Sequence, residues 1–295
     1  MLAARNEAGH KGTFGMVLVV GGQSSPQGVM LGAPALAARA ALRVGCGRCV
    51  IAAPAPILPA ILTLCPSATG VPLPARDAGL LPGAGEALLA EARGEHAAVI
   101  GPGLGQGAVQ RDLVRTALAH LTCPSVLDAD GLNAMTTADD AALIARHGRV
   151  VLTPHPGEFR RLAGAFGIGT LDEGDGASRK SAASALAHVA RAVVVLKGAT
   201  TIVASPDGRA QELSEANAVM AVGGSGDVLA GAIAGLLAQY PDARGGALAD
   251  VVRAGVLAHA SAGRAWRDSA GVAGGMLAWE LADHLPRAVQ GLRKV

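Results

Sequence analysis

The stretch Ala97-Ala98-Val99-Ile100-Gly101-Pro102-Gly103-Leu104-Gly105, followed by the helical pattern Val109 to His120 and then by Ser125-Val126-Leu127-Asp128, decides the fold. Two short, continuously apolar runs flank one helix. Strands apolar at every position and separated by helices belong to a mostly parallel sheet covered on both faces. The alternation extends outward to strands over Met16–Val20, Arg48–Ala53, Val150–Leu152 and Val193–Leu196, with helices near Ala33–Val44, Glu158–Ala165 and Ser181–Ala190. From about Asp227 the pattern turns helical almost to the end, with later helices over Asp250–Ala265 and Met276–Leu285. Thr201–Ala204 and Arg209–Leu213, joined through Asp207-Gly208, read as a hairpin on the sheet edge. The stretch Pro54 to Pro82, with seven prolines, is the least regular and is expected to be a surface excursion.

Composition bounds the function. The 295 residues suit one large α/β domain, with 51% apolar residues and only 2% aromatic, the mixture of helices packed on a buried sheet. A net charge of +2 spread along the chain, without a basic cluster, argues against a nucleic-acid partner and for a small molecule. Cys46, Cys49, Cys65 and Cys123 are too few and too irregular for a disulfide framework. The C-x-x-C at Cys46 and Cys49 has no second pair, so it reads as two small residues entering a buried strand rather than as zinc or redox chemistry. No apolar run approaches the ~18 residues of a membrane span, and Met16–Val20 is too short for a signal peptide. A cytoplasmic protein is expected.

Ligands of open parallel sheets bind outside the carboxyl ends of the strands. At those ends stand Gly101-Pro102-Gly103-Leu104-Gly105; Asp128-Ala129-Asp130 with Asn133; Thr153-Pro154-His155-Pro156-Gly157-Glu158; and Lys197-Gly198. Any one of these could be a cap or a turn. Together they bring glycines, carboxylates, an imidazole and an ammonium to one rim. Lys197 suits a mobile cation that neutralises phosphate, and Gly198 lets a nucleotide approach the backbone. Asp128, Asp130 and Glu158 are hard oxygen ligands for a magnesium ion that keeps most of its waters. The prolines flanking His155 hold it in an extended or turn geometry suited to substrate binding.

Gly223-Gly224-Ser225-Gly226-Asp227 opens directly into the apolar stretch Val228–Ala238. A glycine-rich bend at a helix start leaves N–H groups unpaired, so Gly224, Ser225 and Gly226 form an anion cradle. Asp227 in the first turn would be the base that accepts a hydroxyl proton during phosphoryl transfer. The helix terminus is expected to depress its pKa. The alternative is a simple cap by Ser225 or Asp227.

These motifs, with His10-Lys11-Gly12, Gly21-Gly22, Gly32-Ala33 and Lys197-Gly198-Ala199-Thr200-Thr201, occur in an order that resembles the NAD(P)H-hydrate dehydratase family over roughly residues 8 to 290. Threonine is usual there where Ser225 stands, and the hydroxyl is kept. The resemblance implies a ribokinase-like fold in one domain over 1–295. It also implies repair of the S-epimer of NADHX or NADPHX, with Mg2+ and with ADP, or else ATP, as phosphoryl donor. Phosphorylation of the ring hydroxyl turns a poor leaving group into phosphate. Carried over, Asp227 is the base; Ala33, Gly103, His155 and Asp227 contact the hydrated dinucleotide. Lys197, Gly198, Ala199, Thr200, Thr201 and Gly226 bind the nucleotide, and Asp128 and Glu158 face the metal through water. Many relatives carry an epimerase domain ahead of this one. The chain starts too near its first strand to hold it, so an epimerase on a separate chain is expected, as is a homo-oligomer such as a tetramer. Two rivals are a vitamin-precursor alcohol kinase of the same fold and an NAD oxidoreductase. The latter rests on Gly103-Leu104-Gly105-Gln106-Gly107-Ala108 as a G-x-G-x-x-A fingerprint, with Asp128 roughly 20 residues on.

Overall fold

The computed structural model describes residues 2–293 except 27, 78, 93, 170, 171, 173 and 214–216. Among them, nine strands form one sheet. In spatial order these are Ala210–Glu212, Ile202–Ala204, Val193–Leu196, Val150–Leu152, Ser125–Leu127, Ala97–Ile100, Met16–Val20, Arg48–Pro54 and Thr69–Leu73. All neighbours are parallel except the first two strands, which form the expected antiparallel hairpin at one edge. Alternation within Met16–Val20 shows why both faces are covered. Val17 and Val19 enter one apolar cluster, while Leu18 and Val20 enter the other.

The chain reverses its direction of travel across the sheet between Met16–Val20 and Ala97–Ile100, which makes the crevice at their carboxyl ends the switch point where ligands bind. One face carries the helices Gly32–Arg43, Ser225–Leu237, Gly245–Ala270 and Ala278–Gln290. The helices Gly32–Arg43 and Ser225–Leu237 meet backbone to backbone. A Cβ on Gly231 would lie 2.0 Å from the carbonyl oxygen of Ala37, and one on Gly235 would lie 2.6 Å from that of Ala41. This contact fixes the depth at which the Ser225 helix sits, and hence where Asp227 stands.

The proline-rich segment is not an excursion. It contains a helix, Leu58–Leu64, with buried Leu58 and Ile61, and the parallel edge strand Thr69–Leu73. Pro59 falls in the first helical turn, where an N–H has no intrahelical partner, and Pro72 lies on an edge strand, where a missing donor is tolerated. Helices Ala84–Glu91 and Ala138–His147 also lie outside the sequence expectation. All four cysteines are buried and free. Burial pushes the Cys46 and Cys123 thiols up to about 12, which makes them unreactive packing groups, as the sequence suggests. Among the described residues, no helix is long and apolar enough to cross a membrane.

Candidate active site

The glycine loops at the switch point are closed onto each other. Gly22 N–H donates to the Pro102 carbonyl at 3.0 Å, and a Cβ on Gly101, at φ +123°, would lie 2.0 Å from the carbonyl oxygen of Asp128. Gly103, at φ +59°, faces Ala33, whose Cβ is 3.3 Å from where a Gly103 Cβ would be. The structure therefore brings Ala33 and Gly103 together from distant parts of the sequence. The apparent dinucleotide fingerprint has another use. Asp130 Oδ2 accepts the Gly105 N–H at 2.9 Å and Oδ1 accepts from Gln106 Nε2 at 3.3 Å. A carboxylate thus occupies the glycine turn where that fingerprint would cradle a pyrophosphate.

Next along the rim is a buried ionic network. Asp128, 2% exposed, accepts at Oδ1 from Lys197 Nζ and from Thr153 Oγ1, each at 2.7 Å. Lys197 Nζ also lies 3.7 Å from Glu158 Oε2. Burial alone would lower the Lys197 pKa, but Asp128, Glu158 and Asp227 outweigh it and hold the ammonium above its ordinary value of 10.5. Lys197 is a charged, anchored group rather than the mobile cation expected. His155 starts the helix Pro156–Ala165 in extended geometry, and its N–H donates to Glu158 Oε2 at 2.8 Å. Its Nδ1 accepts the Gly157 N–H at 2.9 Å, so in the neutral ring the proton sits on Nε2, 3.6 Å from Glu158 Oε1. Glu158 thus closes a capping box, a role additional to the metal-facing one read from the sequence.

The helix Ser225–Leu237 begins at Gly224, φ +90°, with no side-chain cap, so neither Ser225 nor Asp227 is a mere cap. Ser225 N–H already donates to the Val222 carbonyl at 3.2 Å. The N–H groups left without a protein acceptor among the described residues are those of Gly224, Gly226 and Asp227. Of the expected Gly224-Ser225-Gly226 cradle, Gly224 and Gly226 thus keep free N–H groups, Ser225 does not, and Asp227 adds one. Asp227 also departs from expectation. Burial first, and the Asp128 carboxylate second, push its pKa up to about 7 against the opposing pull of Lys197. These outweigh the helix terminus, and the carboxyl is tuned to take a proton near neutrality.

Beside this helix mouth lies a cleft of about 680 Å³. His155, Lys197, Gly198, Ala199, Thr201, Ser225 and Gly226 form its polar wall, and Met220, Leu229 and Val256 its apolar one. Thr200 is turned away, its hydroxyl accepting from Arg179 Nη1 at 3.0 Å. His259, buried on the helix Gly245–Ala270, lines the cleft and approaches the Ser225 carbonyl with Nε2 at 2.9 Å. Burial drives its pKa down to about 4, so it is a neutral donor there. Neither Arg179 nor His259 belongs to a local sequence signal. Arg179 stands near the start of its helix and His259 in the middle of its own, and each has its target in another part of the chain.

A sequence profile for NAD(P)H-hydrate dehydratase matches residues 17–287. The chain belongs to that family. It is 38% identical over 282 residues to the ADP-dependent (S)-NAD(P)H-hydrate dehydratase of Neisseria meningitidis, covering 95% of this chain and 86% of the relative. It is 37% identical over 295 residues to the bifunctional NAD(P)H-hydrate repair enzyme Nnr of Moorella thermoacetica, covering 99% of this chain but only 52% of that protein. The chain thus spans about half the length of this bifunctional relative. The crystal structure of the Bacillus subtilis ADP/ATP-dependent NAD(P)H-hydrate dehydratase, co-crystallised with ATP/Mg2+, superposes with a TM-score of 0.73 at 31% identity, covering 98% of this chain and 94% of that one. The chain also superposes on a ribokinase-like superfamily protein of Enterococcus faecalis with a TM-score of 0.73 at 22% identity, covering 99% of this chain and 92% of that one, which shows the fold that the motif order implied. Of the residues quoted for the resemblance, His155, Lys197, Gly198, Ala199, Thr201, Ser225 and Gly226 line this cleft, Thr200 is turned toward Arg179, and Lys11 lies at the opposite end of the sheet, against Gly47.

Proposed function

We propose that the protein returns the S-epimers of NADHX and NADPHX to NADH and NADPH, with ADP as phosphoryl donor. The observation that carries this reading is the position of Asp227. A carboxyl tuned to about 7 stands at a helix mouth whose free N–H groups open beside a cleft of nucleotide size. Asp227 takes the proton of the ring hydroxyl as that oxygen attacks the terminal phosphorus. The N–H groups of Gly224, Gly226 and Asp227 and the Lys197 ammonium hold the transferring phosphoryl group. The ring nitrogen's electron pair then expels phosphate, and loss of a neighbouring ring proton restores the double bond. AMP and phosphate are the other products.

Lys197, Gly198, Ala199 and Thr201 bind the nucleotide in this reading, with Thr200 acting from behind. Ala33, Gly103 and His155 receive the hydrate. No group of three or more metal-binding side chains occurs among the described residues. Asp128 and Glu158 still fit a Mg2+ held mainly by phosphate oxygens and water, which asks for only one or two carboxylates. That ion supplies neutralisation of phosphate charge. The same proposal covers a single domain, a cytoplasmic setting supported by four free thiols, a homo-oligomeric state, and cooperation with an epimerase on a separate chain.

The test mixes purified protein with NADHX, magnesium and either ADP or ATP, and follows recovery of reduced-nicotinamide absorbance against a no-nucleotide control. Recovery that requires ADP is the expected result. No recovery with either nucleotide, from protein that binds nucleotide, would refute the dehydratase reading in favour of a small-alcohol kinase.

A further inference from the structure

The guanidinium of Arg179 is buried beneath the Lys197–Thr201 connection, outside the cleft itself. Arg179 lies in the first turns of the helix Gly176–Ala190, which Asp175 caps through the N–H groups of Ala177 and Ser178. From there Nη1 donates to Thr200 Oγ1 at 3.0 Å, and Nη2 to the Thr200 carbonyl at 2.8 Å and the Lys197 carbonyl at 3.4 Å. Gly198 rests directly on this fork, since a Cβ there would lie 2.4 Å from Nη2. The planar fork thus ties both ends of the turn that presents Gly198, Ala199 and Thr201 to the cleft.

Every one of these acceptors is neutral. Arginine stays charged when buried, and a buried cation is costly without a counter-ion. Lys197 nearby has two carboxylates, whereas Arg179 has none among the described residues. Among the described residues no carboxylate pairs with this charge, which stands directly behind the loop and favours a polyanion on the cleft side.

We infer that Arg179 is a positioning residue of the nucleotide site. It locks the Lys197–Thr201 loop in its cleft-lining shape and backs that loop with charge. This rests on the reading of the cleft as the nucleotide site. Steady-state constants for nucleotide and for NADHX are measured separately for wild type, Arg179→Gln and Arg179→Lys. Hydrogen exchange is followed across 197–201.

Arg179→Gln should raise the nucleotide KM by about ten-fold or more while the hydrate KM stays within about two-fold. Arg179→Lys keeps the charge but loses the fork, and should fall between the two. A nucleotide KM that does not move, or both constants rising together, would overturn the inference. The loop amides should exchange faster in Arg179→Gln with no ligand present, and unchanged protection overturns the clamp whatever the nucleotide affinity. Absence of nucleotide binding by the wild type would instead refute the reading of the cleft. Should Arg179→Gln not fold, Arg179→Lys carries both readouts.

Discussion

Asp227→Asn should make the protein more stable while abolishing its turnover. Between the ordinary aspartate value of 3.8 and about 7, folded protein keeps a proton on Asp227 that the unfolded chain has released. The folded state binds more protons in that window, so the contribution of Asp227 to stability falls as pH rises through it. Above pH 7 the full penalty stands. At about 1.4 kcal/mol per pH unit, the interval amounts to about 4 kcal/mol. Asparagine is neutral throughout and avoids it. With an unfolding entropy of about 2.1 cal/mol/K per residue, the gain over a chain of 295 residues is roughly 6 °C in melting temperature at pH 8. It should shrink to nothing near pH 4. Thermal melts of the two proteins from pH 4 to 8 give the answer. A difference that does not change with pH, or a wild type more stable at pH 8, would show that the half-buried Asp227 does not hold its proton up to about 7.

Wild-type kcat/KM should climb through a midpoint of about 7, roughly ten-fold between pH 6 and 8, because only ionised Asp227 accepts the proton. Asp128→Asn removes a like charge and should move that midpoint to lower pH; a midpoint that stays put would exclude Asp128 as a cause. Gly231→Ala forces a Cβ onto the Ala37 carbonyl and should lower unfolding free energy by about 2–3 kcal/mol, read by urea titration. His155→Ala removes the acceptor of the Gly157 N–H, costing about 1 kcal/mol of helix stability, and should raise the hydrate KM more than the nucleotide KM. Equal rises would contradict its assignment to the hydrate.

Strands buried on both faces were the most legible part of the fold, because an apolar run such as Ala97–Ile100 has few alternatives once glycines bound it. Five of the strands read from the sequence keep their limits, and Arg48–Pro54 gains one residue. Thr69–Leu73 was hidden because its glycine and proline speak against a strand, and only the neighbouring Arg48–Pro54 gives it a partner. Helix Ala138–His147 had a readable start, the capping box of Thr137 and Asp140, and a short buried face of Ala141, Leu143 and Ile144 that the sequence expectation missed. At the site, the short motifs identified the groups that face ligand. The sign of the Asp227 shift was out of reach, because it depends on burial and on Asp128, which the sequence places 99 residues away. Arg179 and His259 were invisible for the same reason, each acting across the fold.

Gly226 lines the cleft, whereas Asp227, the next residue on the same first turn, does not. Successive residues on a helix point about 100° apart, so the two face different spaces across one backbone. On the proposed reading, donor and acceptor approach this turn from its two sides and meet at the helix mouth, with His155 on the wall they share. Neither has to leave before the other arrives. The expected kinetic signature is a ternary complex, in which initial-rate lines for the two substrates intersect rather than run parallel.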